Sequence, residues 1–113
     1  MTKFTAFRVE SLRRRGLVER AANGMECVRV TLHPKRPANA ASYALLKTIV
    51  NAWAGDMRRQ VNRFGAQVLD ETISVSGQSV EALAPIAKLA QLSSAMEKSG
   101  VEVDLVRPER ATF

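Results

Sequence analysis

Val28, Val30 and Leu32 alternate with Arg29 and Thr31. A period of two predicts a half-buried strand over residues 25–32. Asn23-Gly24 stands just before it, a dipeptide that tolerates the positive φ of a tight hairpin turn. The hairpin partner is then residues 17–21. Further along, Tyr43, Leu46, Val50, Trp53, Met57, Val61 and Phe64 recur at steps of three and four. At 100° per residue they occupy about 80° of arc, the apolar stripe of an amphipathic helix. That helix is predicted over residues 39–64, ended by Gly65 in left-handed geometry. Residues 67–76 read as a strand, broken by Gly77. A second helix is predicted over 79–99, with Leu83, Ile86, Ala87, Ala90 and Met96 inward and Pro85 as a kink or a delayed start. Gly100 follows it, and Val101, Val103 and Leu105 alternate with Glu102 and Asp104 as a last strand over 101–106.

Residues 4–12 read two ways. Phe4, Phe7 and Val9 fit a strand leading the sheet. Alternatively, Thr5 caps a short helix through Arg15, stopped by Gly16. The strand is preferred. His33-Pro34-Lys35-Arg36-Pro37 is a connection, because two prolines exclude a ladder or a helix. The fold expected is α+β: a small mixed sheet with an N-terminal antiparallel hairpin, a C-terminal right-handed βαβ unit, and two helices packed on one face. Residues 1–107 form one domain and 108–113 a tail.

Charge changes the picture most. Residues 1–63 hold thirteen Lys/Arg against four Asp/Glu, a net of +9. Residues 64–113 hold four against seven, a net of −3. Twelve of the seventeen basic residues are Arg, whose planar fork suits phosphate. The asymmetry points to an anionic partner, most simply DNA or RNA, bound without catalysis. The candidate contact residues are Arg8, Arg13, Arg14, Arg15, Arg20 and Arg29, with Lys47, Arg58, Arg59 and Arg63 on the polar side of the long helix beside Asn51 and Asn62. The alternative for the helix set is an ordinary solvated face. Three adjacent cations at 13–15 repel unless they are solvated or neutralised.

Part of this region resembles a known family. Ser11-Leu12-Arg13-Arg14-Arg15-Gly16-Leu17-Val18-Glu19-Arg20, then Asn23-Gly24, then Val28-Arg29-Val30-Thr31-Leu32 is similar to the end of the recognition helix and the wing hairpin of MarR-like winged helix-turn-helix regulators. The resemblance covers residues 5–33 only. It implies that Arg8, Arg13, Arg14 and Arg15 lie on or beside a groove-entering helix. Arg20, Asn23 and Arg29 would lie on a wing that touches the backbone.

Other chemistry is thin. His33 is the sole histidine and Cys27 the sole cysteine. They are the only soft ligands, so no metal and no cofactor are expected. His33 lacks a nucleophile elbow, and a metal-independent ribonuclease is the one enzymatic alternative. Adjacent Asp70 and Glu71 face opposite sides of a strand and make no carboxylate dyad. The six glycines are scattered and form no phosphate loop. A single cysteine forbids an internal disulfide, and a reducing, cytoplasmic setting is the simplest fit. No apolar run reaches membrane-spanning length, so no membrane role is expected.

Two further readings follow from the same residues. One is a protein-interaction module, such as a phage or mobile-element inhibitor, that sets its basic surface against an acidic protein partner. The other is an assembly subunit or homodimer using the long helix. Its 26 predicted residues span about 39 Å, more than a sheet of this size covers. Tyr43 and Trp53 then either pack in the core or line a subunit interface.

Overall fold

The computed structural model describes residues 9–106. The order is α1 (Val9–Arg14), β1 (Val18–Arg20), β2 (Glu26–Pro34), α2 (Tyr43–Asn62), β3 (Gln67–Ser74), β4 (Ser79–Pro85), a one-turn 3₁₀ segment (Ile86–Lys88), α3 (Leu89–Lys98) and β5 (Val101–Leu105). The class is α+β, as the pattern predicts. Residues 9–14 are helical rather than extended, and Gly16, at φ +70°, turns the chain into β1. The rest of the 4–12 question, and the tail at 108–113, lie outside the described residues.

The strand alternation places one face of β2 inward: Val28, Val30 and Leu32 are completely buried. The sheet runs β1-β2-β4-β3, and β5 shares β2's outer edge with β1. β1 pairs with the start of β2, Val18 facing Val28, and β5 pairs with its end, Leu32 facing Val103. Every pairing is antiparallel. The sheet is therefore not mixed, which corrects one part of the expectation.

The second correction has the same cause. Residues 79–85 are a strand, not the start of a helix. Glu81, Ala82, Leu83 and Ala84 have good helix propensity, but Val80, Ala82 and Ala84 alternate with Glu81 and Leu83 and bury one face completely. Burial of that face overrides propensity. Pro85, which lacks an N–H, ends the strand. Consequently β3 and β4 form a hairpin instead of a βαβ unit. β2 and β3 run the same way with β4 between them, and β4 and β5 run the same way with β2 between them. Two such split βαβ units make the ferredoxin-like connectivity, with α1 and β1 added ahead of it.

All three helices contribute to the layer over the inward face. Leu12 of α1, Met57 and Val61 of α2, and Leu89, Leu92 and Met96 of α3 pack with the inward valines and alanines. α2 begins at Ser42, whose hydroxyl accepts from Leu45 N–H at 3.1 Å. It ends where Gly65, at φ +73°, lets Ala66 N–H donate to Val61 O at 3.2 Å. The approach to α2 is pinned by Gln78 of the β3–β4 turn. Its side-chain oxygen accepts from Ala38 N–H at 2.7 Å, and its amide donates to Ala38 O at 2.8 Å.

Val50 is the first fully buried residue of α2; the turns before it hold none. Tyr43 is 65% and Leu45 49% exposed, so the front of the helix overhangs the core. Tyr43 is thus surface, not core, while Trp53 is half-buried against the core.

Ser93 of α3 is completely buried, and its hydroxyl makes no hydrogen bond among the described residues. An unpaired buried hydroxyl costs about 1–3 kcal/mol. Ser93→Ala removes that cost and raises helix propensity. We expect it to stabilise the fold by about 1 kcal/mol in a denaturant titration; a destabilised variant would show that Ser93 has a partner.

Candidate nucleic-acid interface

The two sheet faces differ in kind. Alternation sends Cys27, Arg29, Thr31 and His33 of β2 to the face away from the helices. Register adds Glu19, Glu81, Glu102 and Asp104 from β1, β4 and β5. Among the described residues, four carboxylates share this face with one guanidinium and one imidazole. Arg29 is held by Glu19, with Nη2–Oε1 at 3.0 Å and Nε–Oε2 at 3.1 Å, and lies 3.6 Å from Glu81. The hydrogen bond to Glu19 holds the Arg29 guanidinium's proton above its ordinary range. Arg29 is therefore committed to acids, and an anionic polymer is repelled from this open face.

The α2 cations are also partly committed. Arg58 pairs with Asp70 of β3, and Arg59 pairs with Asp56 one turn back at 3.2 Å. Lys47 and Arg63 are exposed and make no ion pair among the described residues. Lys47 sits on the overhanging front of α2, while Arg63 caps its other end. The predicted row of cations on this helix is thus broken by its own acids.

The remaining group is the α1–β1 edge. Arg13 and Arg14 end α1, Arg15 follows, and Arg20 ends β1; all four side chains are exposed. Arg13 and Arg20 line the same cleft of about 260 Å³ with Glu26 between them. Arg13 donates to Glu26 through Nε at 3.1 Å and through Nη2. That hydrogen bond, with the nearby positive charge of Arg13 and Arg20, holds the Glu26 carboxyl below the usual carboxylate range. Glu19 lines the same cleft, with its carboxylate held by Arg29.

The ten predicted contact residues therefore do not form one surface. Arg13, Arg14, Arg15 and Arg20 come together. Arg29 lies on the opposite face from Lys47, Arg58, Arg59 and Arg63, and Arg8 lies outside the described residues. The helix and hairpin occur in the order that the winged-helix resemblance implies, but β2 is an inner strand of a five-stranded sheet.

Sequence reasoning missed Lys88. A groove of about 480 Å³ separates the β1–β2 hairpin from residues 85–87, with Arg20 on its rim. Lys88 is exposed and comes next in the chain. No side chain caps the start of the 3₁₀ turn or of α3 here, and the first N–H of α3, that of Leu89, donates to Ile86 O. Pro85 was the available signal: read as a strand end, it moves Lys88 from a helix interior to a helix start.

Cys27 is buried, and burial pushes its thiol upward. It stays protonated at neutral pH and is a poor nucleophile. His33 Nε2 lies 3.0 Å from Asp104 Oδ2, and Glu102 stands opposite His33 in the β2–β5 ladder. The donor atoms of all three lie within 4.8 Å of one another. No helix among the described residues is long and apolar enough to cross a membrane. No family model, curated protein or solved structure matches this chain.

Proposed function

We propose that this chain is a non-catalytic nucleic-acid-binding protein that grips phosphates with its α1–β1 edge. One observation carries the reading: Arg13, Arg14, Arg15 and Arg20 are exposed on the α1–β1 edge, while Glu81, Glu102 and Asp104 lie on the open sheet face. The polymer is attracted to one side and turned away from the other. Contacts from guanidinium to phosphate release counterions and carry little sequence information.

Copurification tests it. Full-length chain isolated at low salt should carry 260 nm-absorbing material that nuclease removes. An acidic polypeptide held in its place, insensitive to nuclease, would replace nucleic acid with an acidic protein surface as the ligand.

Glu26 gives a prediction with an unusual sign. Its folded carboxyl is depressed, so its pairing with Arg13 persists above the unfolded carboxylate range and is lost as pH falls through the folded value. Glu26→Gln makes that loss permanent and frees Arg13 for phosphate. Affinity for an oligonucleotide should rise a few-fold. A fall would mean that Glu26 positions Arg13 for binding instead of competing for it.

A second reading rests on the front of α2. Tyr43 and Leu45 are exposed, and Trp53 with Ile49 lines a pocket of about 120 Å³ beside Pro34 and Gln78. Exposed apolar groups in a cluster favour a protein contact. A homodimer through this helix predicts a light-scattering mass of twice 12.4 kDa; a monomer at high concentration argues against it.

A further inference from the structure

We propose that His33, Glu102 and Asp104 bind one divalent first-row transition ion of the Zn²⁺ class on the open sheet face. The three residues come from neighbouring strands. His33 and Glu102 occupy facing positions in the β2–β5 ladder, and Asp104 stands two residues further along β5, on the same face. Two carboxylates from one strand and an imidazole from the next therefore project together from hydrogen-bonded backbone. The ladder continues past His33 to Pro34 and Val101, and Lys35 N–H donates to Gly100 O at 2.9 Å beyond them. The scaffold under the ligands is thus fixed.

The spacing suits a metal. Zn²⁺ binds imidazole nitrogen and carboxylate oxygen at roughly 2.0–2.2 Å, which puts tetrahedral ligand atoms about 3.3 Å apart. His33 Nε2 and Asp104 Oδ2 are already 3.0 Å apart, and the whole set lies within 4.8 Å. Closing the site asks only that the exposed Glu102 side chain swing inward by up to about 1.5 Å. The His33 and Asp104 side chains are 33% and 47% exposed, so an ion reaches them from solvent and completes its coordination with water.

Charge and ligand type choose the ion. Two carboxylates and an imidazole are a donor set for a dication. The guanidinium on the same face, Arg29, is held by Glu19 and Glu81. An imidazole ligand favours Zn²⁺, Co²⁺ or Ni²⁺ over Mg²⁺ and Ca²⁺, which take oxygen. The bound ion would tie β5, the last strand, to the central strand β2. This site does not depend on the basic edge, and neither proposal falls with the other.

The test uses the full-length chain, stripped with chelator and titrated with Co²⁺ while its visible absorption is followed, then challenged with Zn²⁺. We expect saturable binding of one ion per chain, displaced by Zn²⁺ and not by Mg²⁺. His33→Ala should abolish it, and Glu102→Gln should weaken it by at least about tenfold. Glu71→Gln, an exposed acid on β3, should leave it unchanged; circular dichroism checks that each variant is folded. Absence of saturable binding into the millimolar range overturns the proposal. So does equal affinity in wild type and folded Glu102→Gln or His33→Ala protein.

Discussion

Replacing Arg13, Arg14, Arg15 and Arg20 together by Ala is expected to remove nearly all affinity for a mixed-sequence oligonucleotide. Three to four phosphate contacts, with Arg13 shared with Glu26, give a log–log salt slope of about −2.7 to −3.6 on duplex DNA, which corresponds to roughly 40- to 150-fold between about 50 and 200 mM salt. Without them the slope should collapse toward zero, and binding at low salt should fall about 100-fold or more. The matching four-Lys variant should keep most of the salt slope, because counterion release counts charges. The informative control is Arg58→Ala with Arg59→Ala. Those two guanidiniums are engaged by Asp70 and Asp56, so their loss should change affinity far less than loss of the edge. If the α2 pair mattered as much as the edge group, the interface would belong on the helix layer.

Leu32→Ala should be the most damaging single core change. Leu32 faces Val80 of β4 on one side and Val103 of β5 on the other, so it packs where three strands meet. It is completely buried, and removing three heavy atoms leaves a cavity that strands on both sides prevent from collapsing. Such truncations cost about 2–5 kcal/mol, against a total stability of about 5–15 kcal/mol. A fall in Tm of roughly 10–20 °C should follow. Tyr43→Ala, on the overhanging front of α2, should stay within about 0.5 kcal/mol of wild type. Comparable losses at both positions would mean that the front of α2 is packed.

The elements legible in the sequence are those whose burial is one-sided. Val28, Val30 and Leu32 alternate with polar residues in β2, Val101 and Val103 do so in β5, and the α2 stripe keeps its helical spacing through Val50, Met57 and Val61. Asn23-Gly24 announced the first hairpin, and Gly24 does adopt φ +85°. The segment 79–85 was obscured because Ala, Leu and Glu favour a helix locally, while its alternation matters only once β2 and β3 lie on either side. The position of β5 against β2 depends on pairing across some seventy residues, which no local pattern encodes. That pairing also brings Glu102 and Asp104 to His33.

The candidate interface was legible in the same uneven way. The run Arg13-Arg14-Arg15 with Arg20 is local, and folding keeps it together. The commitment of Arg58 is not local, since Asp70 meets it only when α2 packs on β3, whereas Glu19 lies across the first hairpin from Arg29 and was within reach of a sequence reading. Asp56, three residues before Arg59, was within helical reach and signalled that pair.

The most direct test of the central claim is the salt dependence of wild-type binding. Fluorescence anisotropy with labelled mixed-sequence DNA and RNA, at several salt concentrations between about 50 and 200 mM, gives it in one experiment. The account predicts measurable binding at the lowest salt and a straight log–log decline with a slope between about −2 and −4. No binding at about 50 mM salt, or an affinity indifferent to salt across that range, would contradict it.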